Sequence, residues 1–186
     1  MKFFHIIACL FLILLTSCAG LPDKSPEIKA QAKIQGNGIT GTLQAIQSDK
    51  GFVWVAVDLK GDPKILTPGL HGVHIHEKGE CVREGEKPFK SAGGHFDPGP
   101  KGDTFPVENN HPYHLGDLPN IKIDPIGKGR IETFSSSVSL SNNPLSLFDA
   151  DKSAVIIHKL EDKRKSPGTA EEAGGGRLAC GIIELM

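Results

Sequence analysis

The sequence predicts an all-β domain, on three observations. Short runs of β-branched and apolar residues recur from residue 30 to the end, and turn-forming glycine, proline, asparagine or aspartate separates them. No long stretch keeps a helical period. KAQAKI (29–34), GITGTLQAI (38–46) and GFVWVAVDL (51–59) open the series, with Ser48, Asp49, Lys50 and Gly51 supplying a turn. HGVHIHE (71–77) is the next strand. Residues 78–116 then run without strand pattern, far beyond an ordinary connection. Strands resume with NIKIDP (120–125), GRIETFSSSVSL (129–140) and SAVIIHK (153–159), and a second loop (160–176) leads into RLACGIIEL (177–185). Two long loops in one small domain need something other than packing to fix them, and metal ligands and a cross-link are the expected means.

Ahead of the strands, residues 1–17 join one lysine to an apolar run too short and too N-terminal for an ordinary spanning helix. They read as a signal peptide. The run stops at Leu15, Thr16, Ser17 and Cys18, a pattern resembling the bacterial lipoprotein signal, in which the cysteine thiol takes the lipid. A plain secretory peptide is the alternative, but no A-x-A-like cleavage site stands here. Residues 19–29, with two prolines, suit a spacer, and residues 30–186 form one domain of a size that buries a single core. The expected location is therefore the periplasm or cell envelope, tethered to a membrane.

Lys and Arg number 21 and Asp and Glu 22; loss of Lys2 with the signal makes this 20 against 22, a mature charge of −2. That balance, without a basic block, argues against nucleic acid as a partner. Of four cysteines, Cys9 lies in the signal and Cys18 at the lipid site. Cys81 and Cys180 remain, either as one disulfide suited to an oxidising compartment or as two buried thiols.

The histidines carry the chemistry. His74 and His76 stand two apart in a strand, so both leave one face roughly 6.6 Å apart, a spacing that one metal can bridge. Alone this is a weak signal. Six of the seven histidines left after the signal is removed fall in or beside loops that cannot pack themselves, accompanied by Asp117. Imidazole and carboxylate suit copper or zinc, while the lack of spare thiolates argues against an iron–sulfur cluster.

GVHIHEKGEC (72–81), SAGGHFDP (91–98), HLGDLP (114–119), VIIH (155–158) and GGGRLACGII (174–183) together resemble the copper/zinc superoxide dismutases, in the family's order. The resemblance implies a Greek-key β-sandwich or flattened barrel with two functional loops. It implies copper on His74, His76, His95 and His158, and zinc on His95, His114 and Asp117, so that His95 bridges the metals. It further implies a Cys81–Cys180 disulfide, an anion-guiding Arg177 beside copper, and Asp162 as the acid that links ligands of the two metals, although Glu161 stands next to it. His71 matches a packing histidine. Where the family's third zinc histidine falls, this chain has Phe105; Asp103 or His111 could replace it, and His111 is preferred.

The implied activity is conversion of superoxide to O2 and H2O2 by copper cycling between cupric and cuprous states, with zinc structural and His95 aiding proton delivery. Superoxide is then the substrate, and a homodimer is compatible with the fold. A copper-binding module without turnover is the main rival, against which the intact Arg177 and copper histidines speak. An envelope lipoprotein of purely structural role would leave the histidines unexplained.

Overall fold

The computed structural model describes residues 27–83, 85, 87–98, 114–165 and 169–186. Strand β1 (Ile28–Gly36) alternates strictly, turning Ala30, Ala32 and Ile34 inward and Lys29, Gln31, Lys33 and Gln35 outward. It pairs with β2 (Ile39–Gln47) across Asn37–Gly38, where Gly38 takes a positive φ of 64°, as a two-residue hairpin requires. The expected turn at residues 48–51 closes on a Gly51 N–H to Ser48 carbonyl bond of 3.0 Å and leads to β3 (Val53–Gly61).

The chain then crosses to β4 (Gly69–His76), which lies between β5 (Asp117–Ile123) and β7 (Ala154–His158). After β5 a turn at Asp124–Gly127 returns it to β6 (Lys128–Ser135), which pairs with β3. β8 (Arg177–Ile182) pairs with β7 and joins β1 through Gln35↔Cys180 and Gly36↔Ala179, and a short β9 (Glu184–Leu185) also pairs with β1. Among the described residues the order is β5-β4-β7-β8-β1-β2-β3-β6, all antiparallel. The two four-strand halves enclose one apolar core that includes Leu43, Val57, Ile75, Ile121 and Ile157. This is the expected flattened Greek-key barrel.

The strand limits differ from the sequence reading in four places. β1 begins at Ile28, within the segment read as spacer, because Ile28 already packs on the core. β5 begins at Asp117 rather than residue 120, and Pro119 is tolerated because β5 ends the strand order, where a missing N–H costs no ladder bond. The run 129–140 ends as a strand at Ser135. Beyond it, serine and asparagine side chains accept bonds from nearby N–H groups, as Ser139 Oγ does from Ser141 and Asn143 Oδ1 from Leu145, and these compete with a ladder. The final run breaks at Ile183, whose N–H donates to the Ser153 carbonyl.

Cys81 and Cys180 form a disulfide that ties the loop after β4 to β8 over a separation of 99 residues. Around it Phe89, Ala92, Ala154 and Ile156 make a second buried cluster on the outer face of β7 and β8. Reducing this bond in the metal-free protein is expected to lower the unfolding free energy by about 4 kcal/mol on the chain-entropy account. Denaturant midpoints measured with and without reductant test this; equal midpoints would mean that the loop is held without the bond.

Candidate metal centre

Strand β4 turns Val73 and Ile75 into the core, so the period of two sends His74 and His76 to the outer face. Register with β7 sets His74 opposite Ile156 and His76 opposite Ala154, and His158 closes the same strand. A break in register between Ile157 and His158 marks where β7 leaves regular pairing with β8. His95 comes from the long loop, bridged to His76 in antiparallel fashion. Ligand nitrogens of His74, His76, His95 and His158 lie within 4.8 Å of one another, as do the ligand nitrogens of His95 and His114 and a carboxylate oxygen of Asp117. His95 belongs to both groups.

Each of three rings is fixed by an acceptor on its outer nitrogen. His76 Nδ1–H donates to the Gly93 carbonyl at 3.1 Å, and His158 Nδ1–H to the Gly175 carbonyl at 3.2 Å. His74 Nε2–H donates to Asp162 Oδ2 at 2.9 Å. A carbonyl or carboxylate can only accept, so these contacts assign the tautomers and leave the other nitrogen of each ring with a lone pair. His76 Nε2 and His158 Nε2 then face each other at 3.3 Å, and His74 Nδ1 is buried with no hydrogen-bond partner. A buried nitrogen without a partner is costly unless something else takes its lone pair, which a metal ion would do. The donor set fits copper.

On the other side, Asp117 gathers the second group. His95 Nδ1 is 2.7 Å from Asp117 Oδ1, and the His114 ring and backbone N–H both approach Asp117 Oδ2, at 3.5 and 2.9 Å. Two imidazoles and a carboxylate at these separations suit zinc, which prefers nitrogen and oxygen donors in a tetrahedron. Asp103 and His111, the two candidates for a further ligand, lie outside the described residues, as does Cys18.

Asp162 stands between the groups as expected, with Asp117 and His74 within the same 4.8 Å limit. It is held by Asn120, whose Nδ2–H donates to the Asp162 carbonyl at 2.9 Å and whose Oδ1 accepts the Asp162 N–H at 3.0 Å. Arg164 N–H also donates to Asp162 Oδ1 at 2.8 Å. Glu161 is exposed, whereas Asp162 is buried and is the acid that accepts from His74. Arg177 donates from Nη1 to the Phe89 carbonyl and from Nη2 to the Gly93 carbonyl, both at 2.5 Å, so its guanidinium is pinned beside His76 and His158, whose protonation it disfavours. His71 is buried, its ring spanning the carbonyls of Thr67 and His158, and joins no metal group.

Sequence reasoning did not find Asn120 or the carbonyls of Phe89, Gly93 and Gly175. A carbonyl carries no residue signature, but the glycine clusters at 93–94 and 174–176 are a signal of close backbone approach. At Gly174, φ is +99° and a Cβ would lie 2.8 Å from both Cβ and Cγ of His158, so no side chain fits against that ring.

A family model for copper/zinc superoxide dismutase (SODC) matches residues 39–183. Superoxide dismutase [Cu-Zn] 2 of Aquifex aeolicus is 35% identical over 166 residues, covering 86% of this chain and 88% of that protein. Superoxide dismutase [Cu-Zn] of Caulobacter vibrioides is 37% identical over 146 residues, covering 77% and 78%. Among solved structures, a doubly substituted SOD-like protein from Bacillus subtilis superposes with a TM-score of 0.64 at 31% identity, covering 81% of this chain and 94% of that one.

Burial keeps the three strand-borne rings neutral, whereas the hydrogen bond to Asp117 raises His114. Burial lowers His76 from 6.5 to about 2, with the charges of His95, Arg177 and His158 adding to it, and His158 to about 3, with His74 and His95 adding. His74 is lowered too, burial outweighing its bond to Asp162. Burial opposes ionisation of Asp117 and Asp162, but hydrogen bonds from His114 and His95 to the first, and from His74 to the second, hold both below the carboxylate range. As pH falls from 6.5 toward about 3, the unfolded chain takes up protons that the folded rings refuse, so stability is greatest above 6.5 and declines through that window. The depressed carboxylates add a further loss at lower pH. The denaturant midpoint of metal-free protein should therefore fall steadily from about pH 7 to about pH 4; a flat profile would show that the buried rings accept protons freely.

Proposed function

The chain belongs to the copper/zinc superoxide dismutase family, and from that premise we propose how its residues divide the work. Its activity is the dismutation of superoxide, with copper and zinc as its metals. One superoxide gives up an electron to become O2, and a second gains that electron and two protons to become H2O2. His74, His76, His95 and His158 hold copper, and His95, His114 and Asp117 hold zinc. When bound, copper supplies one-electron redox chemistry and zinc supplies fixed charge and geometry.

The observation that carries this reading is the sharing of His95 between two groups of ligands, together with the unpartnered Nδ1 of buried His74. His95 Nδ1 is directed to Asp117, which leaves Nε2 as the nitrogen that faces the four-histidine group and can take and release a proton. Arg177, charged at all working pH values and pinned by two carbonyls, presents the rest of its fork of donors to an arriving anion. Asp162 orients His74, and Asn120 in turn positions Asp162.

The same proposal includes export. The apolar leader (residues 1–17), the LTSC run ending at Cys18 and the proline-containing spacer support a lipid-anchored envelope protein with its domain beyond the spacer. A homodimer remains compatible with the fold.

Three measurements test these assignments. Arg177→Ala should reduce kcat/KM roughly tenfold or more, with a weaker dependence on ionic strength, while bound copper is unchanged. His95→Ala should lose zinc and show activity that falls as pH rises; undiminished activity at every pH would sink the proton role. Mass spectrometry of full-length protein from a lipoprotein-processing host should find two acyl chains and an acylated amine on Cys18, and an unmodified or differently cleaved N-terminus would overturn the anchor.

A further inference from the structure

The outer face of the β1–β2–β3–β6 half is polar except along its first row. There the register runs Lys29↔Ile46↔Trp54↔Phe134, with Phe52 two residues before Trp54 on the same side. Met186 extends the row, its N–H donating to the Lys29 carbonyl at 2.9 Å. Phe134 is 74% exposed, Met186 75% and Phe52 49%, and Trp54 and Ile46 are partly exposed. The next row, Gln31↔Gln44↔Ala56↔Glu132, carries no large apolar side chain. Aromatic surface is thus gathered in a narrow band at one end of the barrel, with exposed Lys50 beside it and Lys29 ion-paired to Glu27 at 3.4 Å.

That end is where β1 begins, with Glu27 as the first described residue of the domain. Cys18 is nine residues earlier, so even a fully extended spacer reaches at most about 30 Å. We propose that the Phe52–Trp54–Phe134 row is a bilayer-docking face, laid into the headgroup region of the membrane that holds the lipid on Cys18. This rests on the lipid-anchor reading above. Trp54 suits the membrane–water interface, where its apolar body and its N–H are both satisfied, the phenylalanines suit the acyl boundary just beneath it, and exposed Lys50 suits a phosphate headgroup. A second copy is a poorer occupant: a stable dimer face covers about 800 Å² per partner with an apolar centre, and this band is one row wide and bordered by polar rows.

Docking in this way orients the enzyme. The metal groups lie on the outer face of β4 and β7 in the other half, with the core between them and the aromatic row. The copper side is then turned away from the bilayer, open to an anion arriving from the aqueous side.

Trp54 is the sole tryptophan of the chain and reports on the row directly. Full-length lipidated protein, loaded with both metals, is reconstituted on vesicles of phosphatidylethanolamine and phosphatidylglycerol, with or without acyl-brominated lipid. The expected result is a blue shift of Trp54 emission, loss of most of that emission to brominated lipid, and loss of quenching by aqueous iodide. Phe52→Ser combined with Phe134→Ser should still float with the vesicles and keep full activity, but restore iodide quenching. Wild-type protein that floats while Trp54 stays open to iodide and untouched by brominated lipid overturns the docking face and leaves the anchor standing. Protein that carries no acyl mass and does not float overturns the anchor reading, and this inference with it. Shielding of Trp54 in detergent-free solution together with a doubled mass by light scattering assigns the row to a second copy and overturns the proposal as well.

Discussion

Three imidazole rings, those of His74, His76 and His158, can be buried against one another only if they stay neutral. His74, His76, His95 and His158 pack with ring centroids 4.0–6.4 Å apart, and three of the rings are almost without solvent. One protonated ring there would carry an unscreened charge next to its neighbours. The surrounding structure answers this by placing an acceptor at the outer nitrogen of each strand-borne ring, which fixes its single proton outward and its lone pair inward. A set of inward lone pairs is unstable in itself and well matched to a cation. Binding and folding are thereby coupled: the metal offsets the desolvation that the empty cluster bears.

Those acceptors sit on loops, so the loops must be held as firmly as strands. The first is clamped to β8 twice within a few residues. The Cys81–Cys180 bond makes one clamp, and the bonds from Arg177 to the Phe89 and Gly93 carbonyls make the other. Phe89 reaches its place with φ of 61°, a region unfavourable for a bulky side chain, and burial of its ring against Ala154, Ile156 and Cys180 offsets that strain. Gly93 serves both ends of the device, since its carbonyl accepts from His76 and from Arg177. Ligand orientation and anion guidance therefore depend on one peptide group.

This division explains what the sequence could disclose. The short β-branched runs with turn residues between them, the His-x-His spacing and the two loops too long to pack themselves are properties of side-chain identity, and each was legible. The pairing of Cys81 with Cys180 and the ligand roles came from resemblance to a family, because spacing alone cannot say which distant residues meet. Asn120 was missed because a lone asparagine on a strand does not announce the loop it will hold. The β5 start was missed because Pro119 reads as a strand breaker unless the strand is known to lie at the end of the order. Residues 136–140 were over-read because serines continue a strand pattern until their hydroxyls find the backbone.

The two outer faces of the barrel complete the logic. A β-sandwich has only two faces to spend, and alternation commits each outward position to one of them. On the β4–β7 face the outward positions carry imidazoles and must be roofed by loops to be buried. On the β1–β2–β3–β6 face nothing among the described residues roofs the sheet, so outward positions stay polar, with the aromatic row as the exception at the end where β1 begins. An exception of that kind has no counterpart in the demands of the core, because Trp54 and Phe134 point away from it while Val53, Val55 and Val57 fill it. Under the proposed docking, its placement follows from the surface on which the domain would rest, as the placement of the histidines follows from what the loops must cover.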